Sequence, residues 1–117
     1  MNYIDICKEY FKAFSNKNLD RLSEMFHDDV CLRDWEISTR GKEEVLNVNK
    51  NIFDSVDDIV VIPENQGLGF DDIKDIIHVF NEIEIYINTG KEKLTVVDII
   101  GIEAKTGLIK FIRAFKG

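Results

Sequence analysis

Three polar side chains of this sequence stand in apolar surroundings, and their types are those of proton-transfer chemistry. Leu94, Val96, Asp98, Ile100 and Ile102 share one face of a strand-like run, so Asp98 puts a carboxylate into an apolar row. The opposite face, Thr95, Val97, Ile99 and Gly101, is also largely apolar, so Asp98 is expected to be buried whichever side meets the core. A lone buried carboxylate must be paired, hydrogen-bonded or protonated. Asp34 ends a short strand that starts at Val30, beside Trp35, where apolar neighbours can partly desolvate a carboxylate and tune it as a base. From that segment alone, the commoner fate of such an Asp is a solvated turn. Tyr10 lies on the edge of a helical apolar stripe, and its ordinary fate is a core ring with its hydroxyl at the surface.

The elements that must position these groups change period along the chain. Ile4, Cys7, Phe11 and Phe14 recur at helical spacing over residues 3–15, with Tyr3, Ile6 and Tyr10 widening the stripe. Asn16-Lys17-Asn18 breaks that helix, and Leu19, Leu22, Met25 and Phe26 carry a shorter one. Asp28 and Asp29 read as the turn into the strand, and His27 as a cap at the helix C-terminus. Ser38–Gly41 reads as a turn and Lys42–Val56 as a third helix. Ile59–Ile62 is a compact apolar run that Pro63 ends or moves to a sheet edge, Gln66–Gly69 is loop-like, and Asp71–Asp75 is ambiguous. Residues 76–88, 94–104 and 108–116 read as strands joined by turns at Asn88–Lys91 and Lys105–Gly107. Helices first and an antiparallel meander afterwards predict a single α+β domain over residues 1–117. Its helices are expected on the concave face of a curved sheet, leaving a conical pocket.

Composition narrows the function classes. A formal net charge of −7, with no basic run longer than two residues, argues against nucleic acid, which needs a clustered basic face. No apolar run approaches the roughly 20 residues of a membrane-spanning helix. The N-terminal residues lack a basic stretch followed by an apolar one, so a cytoplasmic protein is expected. Cys7 and Cys31 fit no metal or redox spacing and read as small core residues in a reducing compartment. His27 and His78 make no zinc pattern, so no metal or cofactor is expected.

Tyr10-Phe11-Lys12-Ala13-Phe14, Asn18-Leu19-Asp20-Arg21-Leu22, Met25–Val30, Gly41–Val45, Val96–Ile100 and Arg113-Ala114-Phe115 together resemble the nuclear transport factor 2-like superfamily. The likeness is to its SnoaL-like and ketosteroid isomerase-like members, over most of the chain. The resemblance implies a cystatin-like α+β barrel with a general-base Asp at the first strand's end, a first-helix Tyr, and a neutral Asp on the penultimate strand. Asp34, 24 residues after Tyr10, and Asp98 stand at the matching points. By resemblance, Asp34 would move a proton next to a carbonyl, while Tyr10 and protonated Asp98 would donate to the enolate oxygen. Phe14, Trp35, Ile100, Ile112 and Lys116 would line the pocket. Lys116 stands where the isomerases place a bulky aromatic, so a substrate smaller or more polar than a steroid is expected. The alternative is a non-catalytic dimeric association or ligand-binding module, using the face shared by Phe111, Arg113 and Phe115. An acidic inhibitor of a basic partner is a third reading that the charge permits.

Overall fold

The protein is described by a computed structural model covering residues 1–71 and 75–117. Helix α1 (Tyr3–Ser15) starts where the Asn2 side chain accepts the Asp5 N–H at 3.1 Å, satisfying one of the free donors of the first turn. It ends where Lys17 takes a left-handed backbone, φ 54°. Asn18 caps α2 (Leu19–Met25) in the same way, accepting the Arg21 N–H at 3.0 Å. Strands β1 (Phe26–Arg33) and β2 (Ser38–Arg40) follow, then α3 (Lys42–Ser55). The remainder is β3 (Ile59–Asp71), β4 (Ile76–Ile87), β5 (Glu92–Glu103) and β6 (Ile109–Lys116).

The six strands form one curved, unclosed sheet in the order β2-β1-β6-β5-β4-β3. All neighbours are antiparallel except β1 and β6, which run parallel and bring the N-terminal strand beside the C-terminal one. Helix α1 packs over β3 and β4, and α3 over β1 and β2. Between the helices and the sheet lie Cys7, Leu22, Val30, Val45, Val79, Ile100, Ile102 and Ile109, none of which exposes any surface. Burying each larger aliphatic among them contributes about 1.5–3 kcal/mol before entropy is counted. The α+β class and the helices on the inner sheet face are those read from the sequence. Among the described residues, no helix is long and apolar enough to cross a membrane.

Five local readings change. The chain passes from α2 straight into β1 at Phe26, because Met25 and Phe26 are both buried and anchor the junction. Asp28 and Asp29 therefore lie on β1 rather than in a turn, and the β1–β6 register shifts between Phe26 and Cys31. His27 is consequently no helix cap: its Nδ1 accepts the Asp29 N–H at 3.0 Å, and its Nε2 lies 3.9 Å from a Glu103 carboxylate oxygen. Ser38–Arg40 is a strand paired to β1, not a turn. Strand β3 runs straight through Pro63 and Gln66–Gly69. It is an edge strand, where a missing N–H costs little, and a register shift between Pro63 and Asn65 absorbs the proline. Cys31 is only half-buried, its Sγ 3.2 Å from Arg40 Nε, so of the two cysteines only Cys7 is core. Residues 72–74, within the ambiguous stretch Asp71–Asp75, lie outside the described residues.

Candidate active site

A cavity of about 170 Å³ opens between α1, α3 and the inner sheet face. Its wall is apolar, with Phe14, Ile52, Val61, Ile83, Val96 and Ile112 contributing, and four polar side chains enter it: Tyr10, Asp34, Asn49 and Asp98. Each comes from a different element. Tyr10 is on α1, Asn49 on α3, Asp98 on β5, and Asp34 in the turn that joins β1 to β2.

Strand alternation places Asp98. Val96, Asp98 and Ile100 point to the inner face, and Asp98 is only 7% exposed. Among the described residues no side chain or N–H bonds its carboxylate. Burial, and then the negative charge of Asp34, push its pKa up from 3.8 to about 7. Near neutral pH a large share of Asp98 is thus a carboxylic acid with an O–H to give. The Tyr10 ring, 5% exposed, leans on Phe11, Phe14 and Phe26 with centroids 5.5–6.1 Å away. Burial, and then the nearby Asp98 and Cys7, raise its pKa well above 10.0, so the hydroxyl keeps its proton and remains a donor.

Asp34 is a turn residue that also lines the cavity. Its Oδ1 accepts the Glu36 and Ile37 N–H groups at 2.7 and 2.6 Å, and its own N–H donates to the Ile37 carbonyl at 2.8 Å. These bonds close the β1–β2 turn and fix the carboxylate's direction, leaving Oδ2 for other work. The side chain is half-buried and contributes to the cavity wall.

The structure brings Tyr10, Asp34 and Asp98 to one cavity, with Phe14, Trp35 and Ile112 in its wall. Trp35 is 44% exposed and stands at the mouth. Ile100 is a correction: it shares Asp98's strand face but is completely buried and lies outside the cavity wall. It is two residues further along β5, where core packing has already closed. Lys116 also lies outside the wall; its ammonium sits 5.8 Å from the centroid of the Trp35 ring, which does line it.

Two asparagines were missed in the sequence. Asn81, on β4, is fully buried; its Nδ2 donates to the Val79 and Asp98 carbonyls, each at 3.1 Å, and its Oδ1 accepts from Gln66 Nε2 at 2.8 Å. It thereby ties the β5 backbone at Asp98 to β3 and β4. It also meets the Cys7 thiol; burial pushes that thiol up to about 12 against the opposing effect of this contact, so Cys7 is no nucleophile. Asn49 is 2% exposed, and its Nδ2 is buried without a hydrogen-bond partner among the described residues. Such a group typically costs about 1–3 kcal/mol. Both were detectable: Asn81 interrupts the row Ile77, Val79, Ile83, and Asn49 interrupts Val45 and Phe53, much as Asp98 interrupts its own row.

Helices packed on a curved, unclosed sheet are a fold seen in known proteins. The model of the SnoaL-like domain matches residues 4–97, and the chain belongs to that family within the nuclear transport factor 2-like superfamily. Solved structures agree on the fold. An NTF2-like protein of unknown function from Cytophaga hutchinsonii is 12% identical, with a TM-score of 0.75 over 100% of this chain and 91% of that one. Nuclear transport factor 2 from Cryptosporidium parvum is 12% identical, with a TM-score of 0.81 over 97% and 90%. A hexachlorocyclohexane dehydrochlorinase (LinA) Type2 is 15% identical, with a TM-score of 0.79 over 97% and 81%. No curated protein sequence matches the chain.

Proposed function

We propose that this SnoaL-like protein binds a small carbonyl compound in its cavity and moves a proton between positions next to the carbonyl. The reading rests above all on Asp98, a buried acid in an apolar cavity whose pKa near 7 leaves it able to donate. Asp34 is the base: its free oxygen takes a proton from carbon, and returning the same proton elsewhere makes the reaction an isomerisation without net acid or base. Tyr10 and protonated Asp98 donate hydrogen bonds to the oxygen, which gains charge as the enolate forms. Their worth lies in the dry wall around them, because donors fixed in low dielectric need no reorganisation when charge develops. The 170 Å³ volume is close to that of a cavity that holds one benzene ring, which favours a substrate of about six to ten heavy atoms over a steroid.

The test is proton exchange. Small cyclic ketones incubated in D₂O with the protein should lose their α-proton NMR signals faster than in buffer, and Asp34→Asn should abolish the gain. Equal rates with and without protein across a range of ring sizes would remove the reading.

A second reading, a dimeric association module, is favoured by the outer sheet face. Phe80, Val97 and Phe115 are exposed there, Phe115 by 55%, with Arg33 and Arg113 on one side of them and Glu82 on the other. A two-fold axis near Val97 would lay the basic half of one copy over the acidic half of the other. We take residues 1–117 as one domain, and the free cysteines Cys7 and Cys31 fit a reducing compartment, the cytoplasm. Sedimentation of Val97→Glu against wild type decides the dimer, which predicts a monomer for the variant; an unchanged mass would exclude this face.

A further inference from the structure

We propose that the Asn49 amide is a second ligand-anchoring group, so that the cavity takes a ring-sized molecule carrying another oxygen or nitrogen besides the one held by Tyr10 and Asp98. The inference rests on the carbonyl-binding reading above and narrows its substrate class. Asn49 occupies the inner stripe of α3, between Val45 and Phe53, each one helical turn away and both buried. A leucine there would complete the apolar stripe. An amide instead forfeits that packing and leaves Nδ2 buried without a partner among the described residues, although the side chain forms part of the cavity wall. A buried amide held this way is explained when the missing partner is a molecule that enters the cavity.

The chemistry of the partner follows from the group. An amide offers a donor and an acceptor, and a half-turn about χ2 exchanges them, so it suits a hydroxyl, a carbonyl or an amine. It carries no charge and no metal-binding preference. Because α3 approaches from over β1 and β2 whereas Asp98 rises from β5, Asn49 and Asp98 address the ligand from different sides. A hydrocarbon ketone satisfies only one side; a hydroxyketone or a diketone satisfies both.

Phenol and its three hydroxylated isomers, catechol, resorcinol and hydroquinone, test this directly. Phenol fits the volume and presents one oxygen to Tyr10 and Asp98; each isomer adds a second at a different distance. Titration calorimetry at pH 6 should find at least one isomer binding wild type about tenfold or more tightly than phenol, the gain of a satisfied buried group. In Asn49→Leu the isomer's advantage over phenol, measured within that variant, should vanish, and Tyr10→Phe should weaken phenol and isomers together. Asn49→Ala serves if the leucine variant does not fold. An isomer advantage that survives in the variants, or is absent from wild type while phenol binds, overturns the role of Asn49 alone. Failure of all four compounds to bind wild type overturns this inference alone if small cyclic ketones still exchange their α-protons; failure of both sets removes the carbonyl-binding reading and this one with it. Unfolding of both variants would make the amide structural and overturn the proposal.

Discussion

Replacing Asp98 by asparagine should stabilise the protein, and the gain should depend on pH in a defined way. The carboxyl ionises near 3.8 in the unfolded chain and at about 7 in the fold, so between those values the folded state binds more protons than the unfolded one. Stability therefore falls as pH rises through that window, and levels off above it. With about 1.36 kcal/mol for each pH unit, burial of the charge costs roughly 1.5 kcal/mol at pH 5 and roughly 4 kcal/mol at pH 8, starting from the 3.8 and about 7 of the two states. Asp98→Asn keeps the size of the neutral acid and removes the ionisable group. Urea unfolding of both proteins at half-unit steps should show the variant's advantage growing by about 2–3 kcal/mol from pH 5 to pH 8. At pH 4 the two should nearly coincide apart from a constant offset set by the amide's own contacts. A difference independent of pH would mean that the Asp98 carboxylate is ionised in the fold without penalty, and the proposed donor would be lost. Proton transfer, by contrast, should weaken in this variant, so stability and activity move in opposite directions.

Asp34→Asn should abolish ketone exchange with little change in unfolding midpoint, because an amide Oδ1 can still accept the Glu36 and Ile37 N–H groups. A collapse of stability measured by thermal melting would instead mark Asp34 as a turn residue alone. Tyr10→Phe should slow exchange about 10²–10³-fold, the usual cost of one lost oxyanion donor, while circular dichroism melting stays close to wild type. The stability part follows because no protein group among the described residues hydrogen-bonds that hydroxyl. Gly101→Ala should destabilise by about 1–3 kcal/mol in urea, since a Cβ at that point would run into the Phe111 ring lying across the glycine. A neutral result would show that the ring swings aside freely.

The parts legible in the sequence are those governed by local periodicity and burial. Asp98 could be placed because both faces of β5 are apolar, so either choice of register buries it. Helix α3 was bounded within one residue by Gly41, whose φ of 97° suits glycine, and by the loss of helical spacing after Ser55. What failed depended on partners distant in sequence. The length of β3 is set by its pairing with β4 across Pro63 and two glycines that look loop-like in isolation. Similarly, Phe26–Asp29 joins the sheet only because β6, more than eighty residues later, lies alongside β1. The parallel β1–β6 pair leaves no local mark at all. Within the site, Ile100 and Lys116 went astray for one reason: period two says which face a residue occupies, not how far along the strand the cavity reaches. Asn49 and Asn81 were overlooked because a neutral amide in an apolar row draws less notice than a charge, although the same accounting of buried polar groups applies to it.

The most direct measurement is the titration of the Asp98 carboxyl by ¹³C NMR, assigned by comparison with Asp98→Asn. The account predicts a midpoint near 7 for Asp98. A midpoint in the ordinary carboxylate range, near 4, would contradict it, because Asp98 would then be an anion at neutral pH and could not donate to an enolate.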